Sequence, residues 1–279
     1  MARFTWLQAA SHVPGCCWEP VSRLGPRLAV ARQITGVRQW SLNFQVIHGE
    51  MPTRQLQRTA VRSWIRNTVG SLMLGKLTQQ QIIDQVLIAD DQLERYRAAA
   101  DRGVVLALPH MGNWDLAGAW SSAIGLPISS VAEKLPEQDF RFFLDLRSQL
   151  GMKIYAHDDG DVMNKLRADL SQGRVVALLA DRDFSRRGVP VNWTTSKGSV
   201  ELTMPPGPAA LASSTGSLLL PTVTFFEGDR MRIEFGEPIL PTVAVEVATQ
   251  QLADFFSSQV SRHTVHWHLM QRFFPGVVA

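Results

Sequence analysis

From about residue 104 onward, short apolar runs alternate with segments whose apolar residues recur at helical spacing. The run 104–108 is continuously apolar, which is typical of a strand buried on both faces of a parallel sheet. Comparable runs predict further strands at 127–132, 153–156, 175–180, 217–226 and 231–235, the last two as an antiparallel pair. Helices are predicted between and after them, at 115–124, 138–150, 161–172 and 245–263. The alternation predicts an α/β fold with a mostly parallel central sheet flanked by helices.

The first hundred residues have a different, helical pattern. Residues 53–72 predict an amphipathic helix and residues 79–100 a further helix. The pattern changes near residue 100 without a linker, so we expect one domain over 1–279, with a helical portion (1–100) and an α/β core (101–279). No apolar run reaches the roughly 18 residues that a membrane-spanning helix needs, and His12 and Pro14 interrupt the early apolar patch, so no signal peptide is expected.

Charge is distributed unevenly along this chain of net charge +3. Residues 19–78 contain nine basic residues against two acidic ones. Four of these arginines recur at every fourth position: Arg54, Arg58, Arg62 and Arg66. Such a stripe suits phosphate or an anionic membrane surface, although it is also typical of a solvated helix face. A nucleic-acid partner is not predicted, because no recognition motif accompanies the charge. The only cysteines, Cys16 and Cys17, are adjacent and cannot form a disulfide framework, which favours a reducing interior.

Candidate chemistry follows the 104–108 strand directly. Pro109 ends the strand, because it has no N–H to donate, and Asn113 is a typical helix-start residue. His110 is therefore expected at the carboxyl end of a strand, where open α/β sheets bind their ligands, and Asp115 in the first turn of the next helix. A neutral imidazole in such a cleft can take a proton from a hydroxyl, and an adjacent carboxylate can fix its tautomer. We therefore predict that His110 is a general base and that Asp115 supports it.

The segment His110-Met-Gly-Asn-Trp-Asp115 resembles the signature of the lysophospholipid acyltransferase superfamily, in the branch of the bacterial lipid A late acyltransferases. The four residues between His110 and Asp115, Met-Gly-Asn-Trp, look most like those of the actinobacterial phosphatidylinositol mannoside acyltransferases. In that family the histidine is the general base and the aspartate supports it, which agrees with the prediction made from the residues alone.

Other segments continue the resemblance and imply further substrate-binding residues. Glu133, after the 127–132 strand, and Arg147 match positions that can approach each other in the family. After the 175–180 strand, the resemblance implies that an acidic residue followed by Arg-Asp organises the histidine or the acceptor; these residues are Asp181, Arg182 and Asp183. Arg186 and Arg187 suit an acceptor phosphate. Gly207, in a Gly-Pro pair that starts a helix, leaves backbone N–H groups for an oxyanion. The resemblance breaks at 192–195, a loop expected to border the acceptor or the acyl chain.

The resemblance implies a peripheral acyltransferase at the cytoplasmic face of the plasma membrane. Its acyl-CoA co-substrate would donate a long-chain acyl group to a mannose hydroxyl of a phosphatidylinositol mannoside, and no cofactor is expected. No metal site is predicted either, since His266 and His268 have no acidic or cysteine partner at ligand spacing. Two alternatives stay open: another glycolipid (lipid A-type) acyltransferase using acyl-CoA or acyl carrier protein, and a catalytically silent lipid-binding protein.

Overall fold

The computed structural model describes residues 18–133, 137–183 and 188–279. The described part of the chain up to residue 84 is helical and consists of α1 (Trp18–Ala31), α2 (Thr35–His48), α3 (Arg54–Met73), a 3-10 turn (Leu74–Lys76) and α4 (Gln79–Asp84). The Thr53 hydroxyl caps α3 by accepting a hydrogen bond from the Leu56 amide (3.2 Å). Gly49 ends α2 in the left-handed conformation (φ 80°), which glycine adopts without steric cost.

Strands and helices then alternate, as the sequence predicts. The elements are β1 (Val86–Leu87), α5 (Asp90–Asp101), β2 (Val104–Leu108), α6 (Trp114–Ala123), β3 (Ile128–Ala132), α7 (Glu137–Gln149), β4 (Lys153–Ala156), α8 (Val162–Ser171), β5 (Val175–Leu179), β6 (Val189–Thr195), β7 (Gly198–Met204), α9 (Gly207–Thr215), β8 (Leu218–Glu227), β9 (Arg230–Phe235) and α10 (Val245–Arg262). A 3-10 turn, Thr264–His266, follows α10.

Seven of the described strands form one sheet in the order β1-β9-β8-β2-β5-β3-β4. Neighbouring strands are parallel throughout, except for the antiparallel β8–β9 pair. The predicted α/β class, the mostly parallel sheet and the antiparallel pair are therefore confirmed. Strand β2 lies at the centre of the sheet and is buried along its whole length, which explains its uninterrupted apolar sequence.

Two segments differ from the prediction. Residues 79–100 do not form one helix, because the chain leaves α4 to make the short strand β1, which pairs in parallel with β9. Residues 192–195 are not a loop but part of β6, which pairs with β7 in an antiparallel hairpin. Apolar residues alternate along this hairpin, and Trp193 is fully buried in the core.

The core has two layers, one on each face of the sheet. Val105 and Ala107 of β2 pack in a cluster with Leu211 of α9 and Leu252 of α10. The alternate residues of β2, Leu106 and Leu108, pack in a second cluster with residues of α5 and α6, including Tyr96 and Trp120. Within the described ranges, no helix combines the length and the apolar character required to cross a bilayer.

Candidate active site

Two adjacent parallel strands bring His110 and Asp181 together. In the β2–β5 register, Leu108 is the partner of Leu179, so the residues two positions further along each strand lie level with one another. The backbone extends this pairing beyond β5, since the Ala180 N–H donates to the Leu108 carbonyl (2.8 Å). His110 and Asp181 therefore face each other at the carboxyl edge of the sheet, although 71 positions separate them in sequence.

The Asp181 carboxylate holds His110 by two of its three hydrogen bonds. Oδ1 accepts from the imidazole Nδ1 of His110 (2.5 Å), and Oδ2 accepts from the His110 backbone N–H (3.0 Å). The third bond comes from the indole Nε1–H of Trp267, which donates to Oδ2 (2.9 Å). The Asp181 side chain is completely buried, so these bonds replace the water that an ionised carboxylate would otherwise bind.

These contacts keep Asp181 ionised. Burial alone raises the pKa of a carboxyl group, but the neighbouring His110 and the hydrogen bonds from His110 and Trp267 outweigh burial and hold the pKa of Asp181 below its ordinary value. In the neutral tautomer that donates from Nδ1 to an ionised Asp181, Nε2 of His110 carries the lone pair. Because the His110 side chain keeps 21% of its exposure, this nitrogen can act as a general base toward a bound hydroxyl.

Asp115 does not hold His110 as predicted. Its Oδ1 accepts a hydrogen bond from Arg147 Nε (2.7 Å) and its Oδ2 accepts one from Arg147 Nη2 (3.2 Å). These bonds form a bidentate ion pair between α6 and α7. Burial lowers the pKa of the Arg147 guanidinium, but the Asp115 carboxylate outweighs this and raises it above its ordinary value. The strand register places Asp181 level with His110, whereas Asp115 lies in the first turn of α6 and pairs with Arg147 of α7. Any catalytic part for Asp115 is therefore expected to act through Arg147.

An apolar cavity of about 430 Å³ opens beside His110. It lies between the sheet and helices α5, α6 and α7, on the face to which Leu106 and Leu108 point. Its walls include the large side chains Tyr96, Trp114, Trp120, Phe143, Ile233 and Phe235. Its volume falls in the range of about 300–1,000 Å³ that is typical of ligand pockets.

Half of the ten predicted site residues line this cavity. His110, Asp115, Glu133, Arg147 and Arg182 all line it. Asp181 lies buried behind His110, and Asp183 lines a shallow neighbouring depression together with Asp181 and Arg182.

Of the remaining three predicted site residues, the structure describes only Gly207. Arg186 and Arg187 lie outside the described residues. Gly207 begins α9, whose Leu211 packs with Val105 on the other face of the sheet from the cavity. A part for Gly207 in binding an oxyanion stays a prediction.

Trp267 and the aromatic cavity walls are functional features that the sequence does not predict. Trp267 has no local signal that marks it as a site residue, and its contact with Asp181 spans 86 positions. Tyr96 and Phe235 belong to helical and strand patterns that predict burial but not a cavity. The two residues stack with ring centroids 4.9 Å apart, which forms one wall.

The fold and the site define an α/β protein that carries a carboxylate-held histidine at the edge of a parallel sheet, above an apolar cavity. The chain belongs to the bacterial lipid A biosynthesis acyltransferase family, whose model matches residues 11–275. This confirms the family resemblance drawn from the His110–Asp115 segment.

Named relatives are similar over most of the chain. A phosphatidylinositol mannoside acyltransferase of Mycobacterium tuberculosis (strain H37Rv) is 39% identical over 201 residues, which cover 70% of this chain and 61% of the relative. A protein of the same name from Mycolicibacterium smegmatis is 33% identical over 246 residues, which cover 85% of this chain and 79% of the relative. The match therefore spans less than two thirds of the length of the M. tuberculosis protein.

Proposed function

We propose that this protein transfers a long-chain acyl group from acyl-CoA to a mannose hydroxyl of a phosphatidylinositol mannoside. The observation that carries the proposal is the His110–Asp181 pair at the mouth of the apolar cavity. The names of the relatives from M. tuberculosis and M. smegmatis support the choice of acceptor.

The pair supplies the proton transfers that acyl transfer needs. Nε2 of His110 takes the proton of the sugar hydroxyl as the hydroxyl oxygen attacks the thioester carbonyl carbon. Asp181 stabilises the imidazolium that forms. When the C–S bond breaks, the coenzyme A thiolate takes the proton back from Nε2, so that ester and thiol are the products. The Arg182 guanidinium at the cavity mouth and nearby backbone N–H groups are proposed to stabilise the oxyanion.

The cavity suits the acyl chain of the donor. Its lining includes Ile128, at the amino end of β3, and Ala132, at the carboxyl end near His110. At about 3.3 Å per residue these positions are about 13 Å apart, so the cavity follows the sheet from one edge to the other. Its lining also includes Glu133 and Arg182, which follow the carboxyl ends of β3 and β5 and suit a polar headgroup better than a hydrocarbon.

The proposed site of action is the cytoplasmic face of the plasma membrane, with the protein bound peripherally through its N-terminal helices. On α1, the side chains of Val21, Leu24 and Leu28 are 43%, 54% and 54% exposed. Leu24 shares a groove with three arginines, namely Arg23, Arg27 and Arg62. Exposed leucines flanked by arginines suit an anionic lipid surface.

Arg66, the last arginine of the predicted basic stripe, contacts the turn between β8 and β9. Arg66 donates to the carbonyls of Gly228 (2.7 Å) and Asp229 (2.5 Å), and its guanidinium lies 4.0 Å from the centre of the Phe226 ring. It thus ties α3 to the β8–β9 turn. Arg54, Arg58 and Arg62 remain exposed, and these three are the part of the stripe proposed to meet lipid headgroups.

Release of free coenzyme A from palmitoyl-CoA, with and without a phosphatidylinositol mannoside, tests the proposal. We expect release that depends on the acceptor. A parallel reaction with palmitoyl-acyl carrier protein identifies the donor, and a lipid A precursor as acceptor tests the related glycolipid reaction. Vesicle binding without turnover of any donor would contradict the proposal and favour a silent lipid-binding protein.

Substitution of Gly118 by leucine is expected to shorten the acyl chain that the protein accepts. Asp115, Gly118 and Ser121 lie three residues apart on one face of α6, and all three line the cavity. A Cβ atom at Gly118 would meet the Sδ atom of Met152 at 2.5 Å, and this flexible side chain can move aside. A leucine would then fill the middle of the cavity.

The measurement is the ratio of kcat/KM for palmitoyl-CoA to that for butyryl-CoA. We expect Gly118→Leu to lower the ratio by about tenfold or more, and Gly118→Ala to lower it less, because each methylene in an apolar pocket changes binding by roughly 1–3 kcal/mol. Equal ratios in all three proteins would place the acyl chain outside this cavity.

Replacing both Leu24 and Leu28 with glutamate is expected to weaken binding to phosphatidylglycerol vesicles by about tenfold or more, because two apolar side chains no longer enter the lipid interface. Vesicle sedimentation measures the binding. Leu240→Glu combined with Val247→Glu is the matched control, since it adds the same two charges at residues that are each 51% exposed and lie outside this helix. Equal binding by the double variant and the control would show that α1 does not contact lipid.

A further inference from the structure

A C-terminal segment packs directly behind the His110–Asp181 pair. Trp267 is fully buried, and its indole N–H donates to Asp181 Oδ2 (2.9 Å). The same oxygen accepts from the His110 backbone N–H, while Oδ1 accepts from His110 Nδ1. The two oxygens of Asp181 therefore have different partners, and the Trp267 bond helps to decide which oxygen faces the imidazole.

The backbone of the same segment holds the turn that carries His110. The His268 N–H donates to the His110 carbonyl (2.8 Å), and the Gly112 N–H donates to the His266 carbonyl (3.0 Å). The His268 side chain adds a bond from Nε2 to the Gly112 carbonyl (2.8 Å). Burial lowers the pKa of His268 to about 3, so this imidazole is neutral at pH 7 and donates through Nε2–H.

Trp267 is itself held from several sides. Its carbonyl accepts from the indole N–H of Trp40 on α2 (3.2 Å). Its ring stacks on Trp193 with centroids 6.3 Å apart and meets the Phe273 ring edge-on at 4.9 Å. A side chain packed in this way has little freedom to move, so its N–H points at a fixed place in the core.

We propose that Trp267 is a positioning residue for the His110–Asp181 pair. Its indole N–H stops rotation of the Asp181 carboxylate, whose terminal torsion has only a broad intrinsic preference, and keeps Oδ1 on His110 Nδ1. The expected effect of Trp267 on catalysis rests on the proposed function. Its effect on the geometry of the His110–Asp181 pair does not depend on that function.

The test compares Trp267→Phe with Trp193→Phe. Both substitutions remove one fully buried indole from neighbouring positions, but within the part of the chain that the structure describes the indole N–H of Trp193 has no hydrogen-bond partner. The cost of losing ring volume is therefore similar, and only Trp267→Phe removes a bond to Asp181. The readouts are kcat and KM for palmitoyl-CoA, the thermal melting temperature, and the low-field proton NMR resonance of His110 Nδ1–H, assigned by its loss in His110→Ala.

We expect Trp267→Phe to lower kcat by about 10–100-fold with little change in KM, the usual effect of losing a bond that orients a site residue. We also expect it to shift or broaden the Nδ1–H resonance, while Trp193→Phe keeps both kcat and the resonance. Equal kcat values and an unchanged resonance in the two variants would overturn the inference. The resonance is independent of turnover, so it decides the matter even if the wild type transfers no acyl group.

If Trp267→Phe melts well below Trp193→Phe, replacement of Trp267 by β-(3-benzothienyl)alanine decides the question. This residue keeps the two-ring shape of tryptophan and has sulfur in place of the N–H. The inference predicts the same loss of kcat and the same change of resonance. Wild-type values in this variant would overturn it.

Discussion

The His110→Ala variant is expected to transfer acyl groups with a kcat about 10²–10⁴-fold below the wild type, the usual contribution of a positioned general base. The expectation follows from the geometry of the imidazole: Nδ1 is bound to the buried Asp181, and the opposite nitrogen is available to the acceptor hydroxyl. The KM for palmitoyl-CoA should change little, because the acyl chain is proposed to bind along the cavity and not on the imidazole. Release of coenzyme A in the presence of acceptor measures both values.

His157→Ala is the informative comparison for this experiment. His157 also lines the cavity, whereas the hydrogen bonds that the structure describes at the Asp181 carboxylate come from His110 and Trp267. We expect its kcat to stay within about tenfold of the wild type, since it is assigned no proton transfer. A larger loss in His157→Ala than in His110→Ala would move the base to His157 and contradict the assignment.

The Asp181→Asn variant is expected to lose about 10²–10⁴-fold in kcat with the fold retained. The amide has the size of the carboxylate but carries no charge, so it cannot stabilise the imidazolium. Its NH₂ group can also donate toward Nδ1, which would move the imidazole proton to Nε2 and remove the base. Kinetic assays should be paired with thermal melting, because Asp181 is buried and its replacement also changes the acceptor of the Trp267 indole N–H.

Comparison of Asp115→Asn with Asp181→Asn distinguishes the roles of the two carboxylates near His110. Asp115 is bonded to Arg147 through both oxygens, so we expect the substitution to lower the melting temperature and to raise KM more than it lowers kcat. A reversed pattern, in which Asp115→Asn abolishes turnover and Asp181→Asn keeps it, would mean that Asp115 supports the base in the working protein.

The sequence predicts the elements on which the site depends because their local signals are strong. The continuous apolar run of β2 and the proline after it place His110 at a strand end, and the apolar run of β5 does the same for Asp181. The order of the strands in the sheet is not predicted in this way, because no local pattern indicates that β5 lies beside β2. With the strand order unknown, the nearest carboxylate in sequence, Asp115, was assigned as the partner of His110.

Weak or distant signals account for the other differences. Strand β1 has only two residues and is surrounded by apolar positions at helical spacing, so its pairing with β9 has no local signature. The cavity is formed by side chains from separate elements, among them Tyr96, Trp120 and Phe235. Each of these is predicted to be buried, but the space between them depends on how α5 and α6 pack on the sheet.

The identity of the product tests the central claim most directly. A phosphatidylinositol mannoside is incubated with palmitoyl-CoA and either the wild type or His110→Ala, and the lipid is analysed by tandem mass spectrometry. The account predicts one new palmitoyl ester on a mannose with the wild type and almost none with the variant. Absence of the ester with the wild type, or an equal yield from both proteins, would contradict it.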